Sequence, residues 1–256
     1  MNQSIIDQVR RQVPFIYHLT NQVVMNFSAN GLLAFGGTPA MAKYIEVAEP
    51  LAAASDGVLI NLGTLSRDEV PALVKAGKAA NQKGIPVVLD PVAIACSAFT
   101  KEAGREILQE VKLAAVKGNA GEMAYLADIP WETRGVDSIG GGDAAAVAGE
   151  VAKRYSTIAV VTGETDYIAS EDKLLVNETG HPLLTKITGG GCLLGSILAA
   201  CLTTDADALE QAYTAVSFYG LAAEYAAARP EVRGPGTFLP AFLDALSYDI
   251  KDLEGK

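Results

Sequence analysis

Four short apolar runs constrain this chain more than anything else in it. Residues 57–61, 85–91, 113–117 and 157–161 each read as a strand of nearly continuous hydrophobic character. Each closes on a polar or glycine-containing turn, and helical periodicity separates each from the next. Strands apolar on both faces are buried on both faces, and strands joined through helices run parallel. The expected fold is α/β, a three-layer α/β/α arrangement around a mostly parallel central sheet.

The flanking segments fit the same plan. An amphipathic helix over 4–12 is cut by Pro14, a strand follows over 15–19, and a further helix closes at Gly36-Gly37. Residues 38–42 read as a strand end. Asp143 reads as the N-cap of a helix reaching 154, after a polar loop containing Gly140-Gly141-Gly142. A hairpin is expected around Glu171-Asp172, then apolar helices over 206–228 and 238–246, then a polar tail after Tyr248 that frays. With 50% hydrophobic residues in 256, the chain can build a large core, and nothing in it forces a boundary, so 1–256 is expected to be a single domain.

A formal charge of −10, from 20 basic and 30 acidic residues, argues against a general nucleic-acid or anionic-membrane surface. Three cysteines, Cys96, Cys192 and Cys201, make neither a disulfide framework nor a closely spaced metal site. No signal peptide precedes Ile5 and no unbroken transmembrane run is present, so a cytoplasmic location is expected.

The stretch TKITGGGCLLGSILAACL, residues 185–202, joins three glycines to an apolar helix. Gly189, Gly190 and Gly191 let the backbone turn tightly, and a helix N-terminus offers unpaired N–H groups to an anion such as phosphate. The same field is expected to lower the pKa of Cys192. The alternative is close helix packing around an inert thiol. Neither a Walker loop nor a dinucleotide fingerprint fits, because Cys192 and Leu193 follow the last glycine and the sixth position is Leu194.

Ligands of open parallel sheets gather beyond the C-terminal strand ends, where Asn61, Asp90, the Asn119 to Glu122 turn and the Thr162 to Glu164 turn fall. Asp90 and Glu122 are the candidate Mg²⁺ carboxylates, with capping or loop hydrogen bonding as the alternative. Lys117 is either a mobile cation for phosphate or a solvated surface residue. Thr162 either holds a nucleotide phosphate or bonds within its own turn. Together the glycine turn, carboxylates and cation favour phosphoryl transfer. The competing readings are a cysteine hydrolase using His18 or His181 as base, and a non-enzymatic nucleotide sensor.

A set of motifs sharpens this. Thr20-Asn21 with Asn26-Phe27, the segment 29–34, Asn61-Leu62-Gly63-Thr64, Leu89-Asp90-Pro91-Val92, Gly118-Asn119 with Glu122, Thr162-Gly163-Glu164, Thr188-Gly189 with Gly191-Cys192, and Gly234-Pro235-Gly236 span nearly the whole chain. In this combination the sequence resembles the hydroxyethylthiazole kinase family, thiamine-salvage members of the ribokinase-like superfamily. Cys192 is informative, since related small-molecule kinases commonly carry aspartate there.

The resemblance implies transfer of the ATP γ-phosphoryl group to the primary alcohol of 4-methyl-5-(2-hydroxyethyl)thiazole. It implies that Asn21, Met41 and Gly189 contact the thiazole, that Lys117 and Thr162 bind ATP, that Asp90 and Glu122 organise Mg²⁺, and that Cys192 lies by the accepting hydroxyl. A related hydroxymethylpyrimidine or other vitamin-precursor alcohol kinase is the alternative. It also implies a homotrimer with sites between subunits, for which the broad apolar faces near 22–35 and 206–228 are the only support in the residues themselves. Lys117 and Gly190 depart from the arginine and alanine of the family pattern.

Overall fold

A computed structural model describes residues 1–134, 137–140 and 142–255. The elements run α1 (Gln3–Gln12), β1 (Phe15–Leu19), α2 (Met25–Phe35), β2 (Thr38–Met41), α3 (Ile45–Ala54), β3 (Gly57–Asn61), α4 (Val70–Lys83) and β4 (Val87–Asp90). Then come α5 (Ala98–Glu110), β5 (Ala115–Asn119), α6 (Ala120–Ala127), β6 (Glu132–Arg134), β7 (Asp137–Gly140), α7 (Ala144–Tyr155), β8 (Ile158–Thr162), β9 (Asp166–Ala169) and β10 (Leu174–Asn177). The chain ends with α8 (Gly190–Cys201), α9 (Ala208–Ala227), α10 (Pro235–Ala245) and α11 (Ile250–Glu254).

Eight strands form one sheet in the order β10-β9-β8-β5-β4-β3-β1-β2. The six from β8 to β2 are parallel, and the β9–β10 hairpin adds an antiparallel edge. Alternating side chains feed two cores. Ile16, Leu59 and Val88 face α1, α2, α8, α9 and α10, while Tyr17, Val58, Ile60 and Leu89 face α4, α6 and α7. This is the expected α/β/α layering.

Chain order reverses between β1 and β3, since β1 leads outward to β2 on one side and the later strands build on the other. A crevice at such a point is the usual ligand position. Helix α8 is aimed there: Cys192 at its start touches Asn61 at the end of β3, and Ala199 near its end lies beside Gly57 at the start of β3. It therefore runs antiparallel to the strands and brings its N-terminus to their C-terminal ends. Gly31 lets it close on α2, because a Cβ there would sit 2.4 Å from Leu193.

Several local expectations change. Residues 45–54, which carry no clear pattern around Pro50, form α3. The polar loop before Asp143 contains the paired strands β6 and β7; Gly140 ends β7, and Gly141 lies outside the described residues. The tail after Tyr248 does not fray, since Ile250 and Leu253 are buried and organise α11. Asp143 caps α7 as expected, accepting from the backbone N–H groups of Ala145 and Ala146. Among the described residues no helix is long and apolar enough to cross a membrane.

Candidate active site

Asn61 ends β3 with no solvent exposure and uses both sides of its amide. Its oxygen accepts from Asn21 Nδ2 at 3.0 Å and from the Gly63 N–H at 2.9 Å. Its nitrogen donates to Asp90 Oδ2 at 2.8 Å and to Cys192 Sγ at 3.3 Å. One buried amide thus joins Asn21 beyond β1, Asp90 at the end of β4 and Cys192 on α8. Residue 63 must be small for this to happen, because a Cβ there would lie 2.7 Å from Asn21 Nδ2.

Lys117 is neither mobile nor solvated. It projects from the middle of β5 into the interior, 3% exposed, with Nζ 3.1 Å from Asp90 Oδ1 and donating to the Gly191 carbonyl at 2.9 Å. The Asp90 contact is a charge contact off the hydrogen-bonding direction, so Oδ1 has no directed partner. Burial pushes the Asp90 carboxyl above its ordinary range, and Lys117 and Asn61 recover only part of that. Burial likewise works against the Lys117 ammonium, but the charges of Asp90, Cys192 and Glu122 outweigh it and hold its pKa above the ordinary value.

Glu122 closes a capping box on α6: Oε2 accepts from the Asn119 N–H at 2.9 Å, and the Asn119 side chain accepts from the Glu122 N–H. Its other oxygen accepts from Ala93 N–H at 3.0 Å, across the turn after β4. That turn holds Ala93 at φ 58°, a conformation non-glycine residues rarely adopt. Burial, and then the Asp90 charge, raise the Glu122 carboxyl to about 7.

The thiol expectation is overturned. Cys192 is pushed up to about 11, first by burial and then by Asp90, and the pull of Lys117 and Asn61 in the other direction is smaller. Burial beside a carboxylate raises the thiol instead of lowering it. Cys192 is therefore a thiol at neutral pH. A histidine base is also missing: His18 is wholly buried, with Nδ1 against Ile16 O and Nε2 against Ser196 Oγ, and burial lowers it to about 4. His181 is occupied as the cap of a 3-10 turn, its Nδ1 accepting from Leu183 N–H.

Gly189 adopts φ 88° and starts α8 without a side-chain cap, leaning on Val24 and Phe27 of the α2 entry. Met41 ends edge strand β2 opposite His18, half-buried and outside the hydrogen-bonded network. Thr162 ends β8 opposite Asn119 and donates to Gly118 O at 3.2 Å.

Among the described residues no group of three or more His, Cys, Asp or Glu side chains is placed to hold a metal. Mg²⁺ does not need one, since it is commonly held by one or two carboxylates, waters and substrate phosphates. Asp90 and Glu122 fit that demand: one has a buried oxygen lacking a directed partner, and the other has its carboxyl raised to about 7 by burial and its neighbour's charge, a cost that a bound cation would offset.

The hydroxyethylthiazole kinase family profile matches residues 6–251. The chain belongs to this family. It is 56% identical to hydroxyethylthiazole kinase 1 of Oceanobacillus iheyensis over 253 residues, 99% of this chain and 98% of that one. The solved structure of a hydroxyethylthiazole kinase protein from Pyrococcus horikoshii OT3 superposes with a TM-score of 0.85 at 30% identity, covering 99% of this chain and 95% of that chain. An ADP complex of Bacillus subtilis pyridoxal kinase shares the fold, with a TM-score of 0.63 at 14% identity over 83% of this chain and 92% of that one.

In this hydroxyethylthiazole kinase family member, Asn61 carried a signal that the sequence already showed, a polar residue ending an apolar strand, and the structure adds that it joins Asn21, Asp90 and Cys192. Tyr219 had none. It sits in an apolar helical run, where an aromatic reads as core, yet its hydroxyl donates to Gly190 O at 2.5 Å.

Proposed function

We propose that the protein transfers the γ-phosphoryl group of ATP to the primary alcohol of 4-methyl-5-(2-hydroxyethyl)thiazole, for thiamine salvage. The observation that carries this reading is the convergence of the α8 glycine turn with Asp90, Lys117 and Cys192, in a chain 56% identical to a hydroxyethylthiazole kinase. The alcohol oxygen attacks the γ-phosphorus, the bond to the β-bridging oxygen breaks, and ADP leaves with that electron pair. In so loose a transition state, positioning and charge stabilisation outweigh base strength, which suits a neutral thiol beside the hydroxyl. Cys192 orients the alcohol, and the alcohol proton passes through the thiol, which hydrogen-bonds Asp90, to the Asp90 carboxylate. Asn21 and Met41 with Gly189 hold the thiazole, and Lys117 with Thr162 faces the nucleotide phosphates.

Asp90 and Glu122 would hold Mg²⁺, directly or through water. The ion supplies neutralisation of phosphate charge. The active unit is read as residues 1–256, cytoplasmic, and a homotrimer with thiazole sites shared between subunits. Val23, Leu33, Tyr44 and Ile45, exposed at 65%, 56%, 74% and 39%, support that assembly. Helix α9 does not, because its broad apolar surface is spent against α8, α10 and α11 within one subunit.

Steady-state assays with Mg-ATP and either the thiazole alcohol or hydroxymethylpyrimidine test the substrate. Preference for the thiazole is expected, and a strong preference for hydroxymethylpyrimidine overturns the assignment.

A further inference from the structure

Three successive glycines at the start of α8 leave the turn no side chains with which to fix its own peptide planes. The N–H groups of Gly191 and Cys192 belong to the planes whose carbonyls are those of Gly190 and Gly191. A peptide unit is rigid, so holding its C=O fixes the direction of its N–H. Both carbonyls are held from outside the helix ladder. Gly191 O accepts from Lys117 Nζ at 2.9 Å, and Gly190 O accepts from Tyr219 Oη at 2.5 Å. Tyr219 lies on α9, 4% exposed, with its ring edge-on to Phe242 at 4.9 Å and 90°. A side chain at position 190 could not do this work, since a Cβ there would stand 2.9 Å from the Leu184 carbonyl oxygen.

We propose that Tyr219 is a positioning residue for phosphoryl transfer: its hydroxyl steadies the Gly190–Gly191 peptide at the start of α8, so that the Gly191 N–H stays aimed at the transferring phosphate. The inference rests on the kinase reading above. A donor aimed in advance stabilises developing oxygen charge without reorganisation, whereas a first-turn glycine peptide held by the helix ladder alone can tilt away from the phosphate. Neither the thiazole contacts nor the Asn61 network touches this hydroxyl, so its loss should act on the transfer step and on ATP rather than on the alcohol.

The test is Tyr219→Phe, which keeps the ring, compared with Phe242→Leu, which disturbs the same packing but keeps the hydroxyl. Tyr219→Phe should slow single-turnover phosphoryl transfer about 10-fold and weaken calorimetric ATP binding about threefold, with thiazole-alcohol Kd within about twofold. Phe242→Leu should lower the Tm at least as much yet leave the transfer rate within about twofold. An unchanged transfer rate in Tyr219→Phe, or an equal slowing in Phe242→Leu, overturns the proposal. A wild-type protein that does not phosphorylate the thiazole alcohol defeats the kinase reading instead. ATP binding, which needs no acceptor, then judges Tyr219: unchanged affinity in Tyr219→Phe overturns its role there too.

Discussion

Lys117 and Asp90 form an ion pair 3.1 Å apart with both side chains buried, directly beneath the peptide that starts α8. Removing one partner leaves the other charged and desolvated, which costs about 3–5 kcal/mol in comparable buried pairs. Lys117→Met should therefore lose about that much stability in urea denaturation at neutral pH. Adding Asp90→Asn should restore most of the stability while leaving turnover abolished. If the double variant is no more stable than the single one, the pair is not what holds this part of the interior.

Cys192 should titrate as a buried thiol. In a Cys96→Ser background, with Cys201 fully buried, iodoacetamide labelling of Cys192 should keep rising through pH 9 toward the thiol value of about 11. A plateau near pH 7 would restore the activated-thiolate reading. Cys192→Ala should slow turnover about 10-fold, short of a full general-base loss, with little change in alcohol affinity.

Glu122 should make the metal-free protein less stable as pH rises. Its carboxyl is held at about 7 when folded against an ordinary 4.5, so the folded state binds the proton more tightly. The contribution is full below about pH 4.5 and is lost as pH rises through about 7. At about 1.4 kcal/mol for each pH unit it amounts to roughly 3 kcal/mol. Glu122→Gln should flatten that part of the stability profile, measured by denaturation at pH 5 and pH 8, and should also blunt the Mg²⁺ dependence of turnover. A variant with the wild-type pH slope would assign the effect elsewhere.

Gly63→Ala should act on the alcohol side. The added methyl meets Asn21 Nδ2 at 2.7 Å and Asn61 Oδ1 at 3.0 Å, so Asn21 must move. Thiazole-alcohol KM should rise about 10-fold while ATP KM stays within about twofold. An equal rise in both would place Gly63 in the general fold rather than beside the thiazole.

Assembly should govern activity. If the thiazole sites lie between subunits, as proposed, specific activity should fall on dilution together with the mass measured by sedimentation. Val23→Asp, at an exposed apolar position of the α2 entry, should shift both curves to higher concentration. A fully active monomer would reject the shared site, and an active dimer would reject three subunits.

The layers were legible because the strands announce themselves: residues 57–61, 85–91, 113–117 and 157–161 are apolar on both faces, and only a sheet covered on both sides accepts them. The strand-end positions of Asp90 and Thr162 and the turn that leads to Glu122 followed from the same pattern, whereas Lys117, expected to end its strand, sits in the middle of β5. The glycine turn was legible too, where three residues without side chains precede an apolar helix. The state of those residues did not follow. Whether Lys117 is solvated or buried, whether the Cys192 thiol falls or rises, and whether Asn61 caps a strand or joins three others depend on what stands opposite across the sheet. At Cys192, burial and a neighbouring carboxylate, neither visible along the chain, raise the thiol. Tyr219 meets Gly190 across 29 residues of sequence, a contact that neither helical periodicity nor composition records. Sequence fixes what lies on one element through the periods of helix and strand; the distances between elements, and so the electrostatics of the site, come only from their packing.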